Sequence, residues 1–342
     1  MIEIDGSYLE GGGQILRTSI GLSVLTNQSV RVYNIRKNRP KGGGLKPQHL
    51  TGIKAAAEIC NAKVKGAEIG STEIEFHPSE IKAGNYSFDV GTAGAVTLVL
   101  QTLMIPAAFN DFEFEIKGGT DVPWSPSTNY FQHVFCSFLN NMGAKILVKT
   151  KKHGFYPKGG GEVFFATERA EVNAIILSKR EGERRIDVRS ITSEELKEKN
   201  VAERQLEGFK KIIPTETEFV DYVNSDSTGT SLQSHAHFSN CKLGSGVIGE
   251  IRKKAEDVGK ECAELLKKQL DSCACLDEWM GDQILPYIAI AAADGKGSSQ
   301  ISVAEITKHA LTNIWVIEKF LPVKFDVQGN EGERGIISVR KV

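Results

Sequence analysis

Neither sign of charge predominates in this chain. Its 342 residues carry 42 Lys and Arg against 43 Asp and Glu, a formal net charge of −1. That balance excludes the wholly basic surface of a nonspecific polyanion binder, so any phosphate or nucleic-acid site must be a local patch. No apolar run approaches the roughly 20 residues that cross a bilayer. The opening residues, MIEIDGSYLEGGG, lack the basic-then-apolar order of a secretion signal, and a cytoplasmic location with no membrane attachment is expected. Cysteine is sparse and scattered: Cys60, Cys136, Cys241, Cys262, Cys273 and Cys275. Cys273 and Cys275 form a CxC, but no second pair or nearby histidine completes a zinc set, so reduced structural thiols are expected. Hydrophobic content of 40% and charged content of 25% are those of a globular protein. The length allows about two domains around a sizeable core.

Glycine is plentiful instead, at 34 residues, and it clusters between stretches with helical or alternating patterns. One order of elements recurs. Residues 11–27 have helical spacing through Ile15, Leu22 and Leu25, and Val30 and Val32 alternate as a strand. Leu50, Ile53, Ala57 and Cys60 form a second helical face, followed by β-like runs near 62–67 and 72–77. The order returns as a helix at 91–108, a strand at 112–116, a helix at 130–141 and strands at 145–148 and 163–165. A third copy is split: a strand at 172–177 finds its partner helix only at 282–292, before the 301–303 strand, another helix and strands near 323–327 and 336–340. The expected class is α/β (α+β), with three βαβαββ-type units forming one large domain from residues 1–180 and 277–342. Residues 181–276 read as a smaller inserted α/β domain, with a helix-like run from Val247 to Leu270 and a polar run from Asn224 to Ser234.

The stretch from Ile301 to Leu321, ISVAEITKHALTNIWVIEKFL, concentrates the chemistry. Ala310, Ile314, Ile317 and Leu321 share one helical face, and Thr307 is the expected N-cap. His309 then sits in the first turn, with Asn313 one turn further along. Unpaired N–H groups at that end disfavour a protonated ring and attract phosphate. A neutral imidazole there either attacks a nucleotide phosphorus to form a phosphoramidate or simply caps and packs its helix.

Other stretches carry similar pairs of readings. Glu10-Gly11-Gly12-Gly13-Gln14, followed by Arg17, is either a glycine turn that admits phosphate beside a metal-binding carboxylate or a tight strand-to-helix turn. The loop RKNRPKGGGLKPQH carries Arg36, Lys37, Arg39, Lys41 and Lys46 with no acid, and suits a phosphate backbone or lies solvated. It ends in Gln48 and His49, and His49 opens its own helix as His309 does. In FDVGTAGAVTLVLQ, Gln101 is a polar residue in an apolar run and needs a partner if buried. GGTDVPWSP and HGFYPKGGG are turn-rich; Trp124 can stack a base or cap a core, and Lys158 can meet phosphate. Within Trp279-Met280-Gly281-Asp282-Gln283, Trp279 can stack on adenine. Asp282 can orient an imidazole, bind a metal or cap its own helix.

Together these segments closely resemble the RNA 3′-terminal phosphate cyclase family. The likeness runs nearly end to end through DGSYLEGGGQILR, IRKNRPKGGGLKPQHL, the GTAG segment to LVLQT, GGTDVPWSP, HGFYPKGGG, DQILP and ITKHALTN. The resemblance implies three repeated units like the C-terminal domain of a translation initiation factor, plus an inserted domain. It implies ATP-dependent conversion of an RNA 3′-phosphate to a 2′,3′-cyclic phosphate, with release of AMP and pyrophosphate. In that scheme His309 is the adenylylated nucleophile, assisted by Asp282 and Arg17. Gln101 and Trp279, Met280, Gly281, Asp282 and Gln283 line the ATP site with His309. Arg36, Arg39, Gln48 and His49 meet ATP or RNA phosphates, and Glu10 holds Mg²⁺ or Mn²⁺. The partners are ATP and RNA bearing a 3′-terminal phosphate, with room for a homodimer. Trp279 stands where family members can carry a tyrosine, and its larger ring should stack at least as well. The enolpyruvyl transferases share the repeat but need two full lobes of three units, and this sequence reads as one set. Non-enzymatic eukaryotic relatives in ribosome biogenesis lack the histidine that ITKHALTN retains.

Overall fold

The computed structural model describes residues 1–39 and 42–342, so Lys41 of the basic loop lies outside the described residues. The first unit runs β1 (Ile2–Asp5), α1 (Gly13–Thr26), β2 (Val30–Tyr33), α2 (Pro47–Ile59), β3 (Lys63–Lys65) and β4 (Ile74–His77). Its sheet has the order β1-β2-β4-β3, with β1 parallel to β2 and the other two pairings antiparallel. The second unit begins with β5 (Gly84–Asp89), α3 (Val96–Ala107) and β6 (Phe112–Gly118). A continuous helical stretch follows: α4 (Thr128–Tyr130), a π-helical segment (Phe131–Cys136) and α5 (Ser137–Asn141). β7 (Lys145–Lys152) and β8 (Gly161–Glu168) complete a sheet of order β5-β6-β8-β7 with the same pairing senses.

β9 (Ile176–Leu177) opens the third unit, and the chain then leaves it. The excursion contains β10 (Arg185–Ser193), α6 (Val201–Lys210), β11 (Thr217–Val223), β12 (Thr230–His237), β13 (Lys242–Ile248) and α7 (Ala255–Asp271). These strands form their own sheet in the order β11-β10-β12-β13. The chain returns through α8 (Glu278–Gln283), α9 (Leu285–Ala293), β14 (Ser299–Val303), α10 (Lys308–Phe320), β15 (Val323–Gln328) and β16 (Gly335–Lys341). Parallel pairing of Ile176 and Leu177 with Gln300 and Ile301 closes the split unit, whose sheet order β9-β14-β16-β15 repeats the first two. The class is α/β with several small mixed sheets, and one strand order occurs in three of them.

A single apolar core runs under these three sheets, from Ile4 and Ile15 through Phe114 and Phe165 to Ile301 and Ile337. Ile186, Phe209, Leu232, Val258 and Leu266 form a separate core beneath the fourth sheet. α1 is buried on nearly every side, which needs a close neighbour. Gly21 supplies it: a Cβ there would lie 2.8 Å from Ile105 Cδ1 and 2.9 Å from the Thr102 carbonyl oxygen of α3. No helix among the described residues is long and apolar enough to cross a membrane.

Three expected boundaries shift, each for a local reason, and one polar run is buried at its end. The helix expected from Val247 begins at Ala255, because Val247 pairs with Leu232 in the β12–β13 ladder. The polar run at 224–234 ends inside β12, where Ser231, Gln233 and Ser234 are buried and bonded to other side chains. The 172–177 strand contracts to two residues, since the N–H of Asn173 is taken by the Met142 carbonyl. The 282–292 helix divides into α8 and α9 at Ile284, and Pro286 lies in the first turn of the second piece, where its missing N–H costs nothing.

Candidate active site at the start of α10

α10 begins as its sequence predicts. Thr307 is the N-cap, its Oγ1 accepting the Ala310 N–H at 2.9 Å. The same hydroxyl donates to Asp282 Oδ1. Asp282 sits at the inner end of α8, and its backbone carbonyl accepts from Asn313 Nδ2 at 2.9 Å. Asn313 Oδ1 in turn accepts from Thr18 Oγ1 at 2.7 Å and Gln14 Nε2 at 3.4 Å. One buried polar chain therefore fixes α1, α8 and α10 against one another. Burial raises the Asp282 carboxyl well above the usual carboxylate range, against the pull of the Thr307 bond. Asp282 reaches Thr307 rather than His309; no hydrogen bond or ion pair joins it to the ring among the described residues.

His309 occupies the first turn. Its side chain is 44% exposed, yet Nδ1 is buried without a hydrogen-bond partner, 3.6 Å from Glu10 Oε2. Burial first, then the charges of Arg17 and Arg39, lower its pKa to about 4, so the ring is neutral at pH 7. The Glu10 side chain is only 8% exposed; Oε1 is paired with Arg39, while Oε2 has no hydrogen-bond partner. The glycine run explains how these groups come so close. A Cβ on Gly12 would fall 2.1 Å from Glu10 Oε2, and one on Gly13 would fall 2.5 Å from His49 Nε2 and 2.8 Å from an Arg17 nitrogen.

Arg17 donates to Gln14 Oε1 at 2.6 Å and leaves a buried Nε unpartnered. Burial and the charge of Arg36 lower its pKa to about 10, which still leaves it cationic at pH 7. Neither Arg17 nor Arg36 meets a carboxylate among the described residues, so the pair presents uncompensated charge to an anion. His49 is buried, and its Nδ1 accepts the Lys46 N–H at 3.1 Å. Burial and the charges of Arg17, Arg36 and Lys46 push it down to about 3. Gln48 approaches the GTAG turn, where a Cβ on Gly94 would lie 3.3 Å from its Oε1.

A second polar group joins α3 and α8. Gln101 Nε2 donates to Gln283 Oε1 at 2.9 Å, and Gln283 Nε2 donates to the Trp279 carbonyl at 3.0 Å. Gln101 Oε1 is buried without a partner. Trp279 is half-buried, edge-on to Tyr130 with ring centroids 6.2 Å apart. Asp277, rather than Asp282, caps α8 by accepting the Met280 N–H at 2.8 Å, and it also accepts from Tyr130 at 2.6 Å. Met280 is fully buried in the core, and Gly281 lets α8 lie against Val303, which a Cβ would approach to 2.9 Å. These two residues hold the helix in place. Trp124, by contrast, lies exposed on the surface.

Of the buried side-chain atoms without a partner, four belong to Glu10, Arg17, Gln101 and His309. Buried polar atoms are normally bonded, and those of Glu10, Arg17 and His309 lie close together, a grouping that suits a polar ligand. Sequence reading passed over Thr18, Thr312 and Asp277. Gln14 and Thr18, one turn apart on an otherwise apolar helix, were the available signal for the first. Thr312 Oγ1 accepts the Glu10 N–H at 3.4 Å, a contact over 302 residues of chain that no local pattern announces.

A neutral imidazole at a helix N-terminus, a carboxylate oxygen and two arginines without carboxylate partners suit a phosphorylated ligand, on a scaffold of small mixed sheets. The family model for RNA 3′-terminal phosphate cyclase matches residues 8–327. The chain is 42% identical over 354 residues to the RNA 3′-terminal phosphate cyclase of Methanopyrus kandleri, covering 99% of each. It is 43% identical to those of Thermococcus onnurineus, over 99% of both chains, and Pyrococcus furiosus, over 99% of this chain and 98% of the relative. The chain belongs to the RNA 3′-terminal phosphate cyclase family.

Proposed function

We propose that the protein converts an RNA 3′-phosphate to a 2′,3′-cyclic phosphate at the expense of ATP, through a covalent histidine–AMP. The observation that carries this is the state of His309: neutral, partly exposed, with Nδ1 buried against Glu10 and unused. With Nδ1 held inward, Nε2 is the nitrogen left to attack. Its lone pair forms a bond to the α-phosphorus of ATP, the bond from that phosphorus to the bridging oxygen breaks, and pyrophosphate leaves. An oxygen of the RNA 3′-phosphate then attacks the same phosphorus and displaces the imidazole, giving a diphosphate-bridged RNA–adenylate. Finally the adjacent 2′-hydroxyl attacks the 3′-phosphorus, gives up its proton and expels AMP. A bare phosphate monoester has no good leaving group, and AMP supplies one; closure is fast because nucleophile and phosphorus share one ribose.

Arg17, Arg36 and Arg39 neutralise phosphate charge in this scheme, with Gln48 and His49 beside them. Gln101, Trp279 and Gln283 line the adenosine side, with Met280 and Gly281 setting the position of α8. Asp282 acts as a positioning residue, fixing Thr307 and so the first turn that presents His309. The residues also fit a divalent cation. No group of three His, Cys, Asp or Glu able to hold a metal occurs among the described residues. Glu10 Oε2 offers one free oxygen, and Mg²⁺ or Mn²⁺ commonly binds through one carboxylate, substrate phosphates and water. Such an ion would neutralise triphosphate charge. Residues 181–276, with their own sheet and core, are read as an inserted domain, and residues 1–180 with 277–342 as the catalytic one.

Incubation with α-labelled ATP and Mg²⁺ or Mn²⁺, followed by denaturing electrophoresis, tests the covalent step. The expected label is acid-labile and alkali-stable, as a phosphoramidate is. Addition of RNA 3′-phosphate should discharge it and leave an RNA end that resists phosphomonoesterase. A label that withstands acid, or an RNA end still open to the phosphatase, would sink the reading.

A further inference from the structure

A second polar concavity lies between the second unit and the 181–276 segment. It is a cavity of about 240 Å³, lined chiefly by Asn129, Gln132, Lys149, His153, Arg189 and Asp221. A neighbouring hollow of about 410 Å³ shares His153 and continues past Lys151 and Lys152 to Asn224. The two make one groove, walled by β7 on one side and by β10 and β11 on the other.

Its floor is built rather than incidental. Asp121, fully buried, accepts from His153 Nδ1 at 2.9 Å, Ser231 Oγ at 2.8 Å and Thr120 Oγ1 at 2.7 Å. Ser127 Oγ donates across to Gln233 Oε1 at 2.8 Å, and Thr150 bonds Thr128 at 2.9 Å. GGTDVPWSP and HGFYPKGGG, which the proposed chemistry leaves without a role, thus meet here and fasten both walls. Above this floor Asn129 is 7% exposed, and its Oδ1 has no partner. A buried amide oxygen left unbonded is costly unless a ligand completes it.

Four cations stand on the walls, and three of them are paired with carboxylates. Arg189 is bonded to Asp221 at 2.5 Å, Lys151 to Glu115 at 2.5 Å and Lys152 to Asp226 at 2.8 Å. Lys149 is exposed and has no acidic partner among the described residues. Carboxamides that can read a base edge, set beside cations that can meet phosphate, are the elements of single-strand recognition. A free phosphate would leave the amides unused, and a mononucleotide would leave the second hollow empty. Tyr130, next to Asn129, bonds Asp277 and meets Trp279 edge-on. The turn of α4 therefore ties this groove to α8, whose Asp282 bonds Thr307 at the start of α10.

We propose that this groove holds the RNA strand upstream of its 3′-phosphate, with a backbone phosphate on Lys149 and Arg189 and a base against Asn129 and Gln132. The inference rests on the RNA reading above and adds a second point of contact to it. It gives the 181–276 segment a part in substrate binding.

Binding of 3′-phosphorylated RNA, without ATP, tests the groove. Fluorescence anisotropy would compare a dinucleotide with a chain of about ten nucleotides, a length within the range one groove can hold. Lys149→Glu should weaken the longer RNA about tenfold and flatten its dependence on salt, as loss of a phosphate contact does. Gln132→Ala should weaken it about threefold without altering the salt slope, because it removes a base contact. The dinucleotide should bind all three proteins alike, and thermal unfolding would confirm that each variant is folded. Parent-like binding of the long RNA by both variants overturns the proposal. So does equal weakening of the dinucleotide, which would put the 3′ end itself in the groove. Because no ATP is present, absence of covalent labelling would defeat the histidine mechanism without touching this result.

Discussion

Two histidines open two helices of this molecule, and their difference separates an uncommitted ring from one that caps its helix. His49 is in the first turn of α2 and His309 in the first turn of α10. Both stand near Arg17, and both are held neutral, at about 3 and about 4 respectively, chiefly by burial. His49 spends its Nδ1 on the Lys46 N–H and is sealed beneath Gly13. His309 leaves Nδ1 unbonded and keeps nearly half its ring open. A helix N-terminus is therefore not enough to mark a reactive imidazole; an uncommitted nitrogen on an accessible ring is what distinguishes it.

The sharpest way to break this comparison is to remove each ring in turn. His309→Ala should abolish labelling by α-labelled ATP, a loss of at least about a thousandfold, because no other group can form the bond. His49→Ala should still label, at a rate reduced by roughly tenfold through the displaced glycine turn. Label persisting on the His309 variant, or absent only from the His49 variant, would exchange their roles.

Glu10→Ala comes next. The carboxylate faces His309 and, in the proposed scheme, would hold a cation, so labelling should fall by about a hundredfold, the scale for a lost group that orients charge. Raising Mg²⁺ or Mn²⁺ should restore part of the rate if the cation is held there. A deficit indifferent to metal would remove Glu10 from cation binding and leave it as the partner of Arg39 and His309.

How much of this was visible in the sequence follows from how far each contact reaches along the chain. The first turn of α10 was legible because Thr307, His309 and the apolar face lie within a few residues, and capping is a local rule. The return of the chain to one sheet after a long excursion was legible through element order, since the two-residue strand at 176–177 pairs with β14. The role of Asp282 was not. The sequence left it to orient an imidazole, bind a metal or cap its helix, whereas it lies in the last turn of α8 and reaches Thr307, and Asp277 does the capping. Nor could it show that GGTDVPWSP and HGFYPKGGG meet through Asp121 and His153, or that Tyr130 bonds Asp277 over 147 residues. Those contacts depend on packing between units, and no residue near them in sequence records it.

Trp279, on α8, offers a smaller effect. If its ring stacks on adenine, Trp279→Ala should raise the apparent KM for ATP in the labelling reaction about tenfold, the usual scale for losing a stacked base. Trp279→Phe should recover most of that. Equal harm from both would point instead to the edge-on packing against Tyr130, which a phenylalanine ring does not reproduce.

The last test compares the two rings by acidity, and its expected effect at ordinary pH is the slightest. In the proposed mechanism the neutral imidazole attacks, and burial with two nearby arginines holds the His309 pKa at about 4. Labelling rates should therefore change less than about twofold between pH 5.5 and 8, then fall about tenfold per pH unit once the ring protonates. Stability carries the same sign. Each histidine has a folded pKa below its unfolded value of about 6.5, so the unfolded chain binds protons more readily across that gap. The contribution is complete above about pH 6.5 and is lost as pH falls toward about 4 for His309 and about 3 for His49. Melting temperature should decline over that window, and less steeply in His49→Asn, which has no proton to gain. A labelling midpoint near pH 6.5 in the folded protein would mean that neither burial nor the arginines lower the His309 pKa, and the distinction between the two rings would rest on accessibility alone.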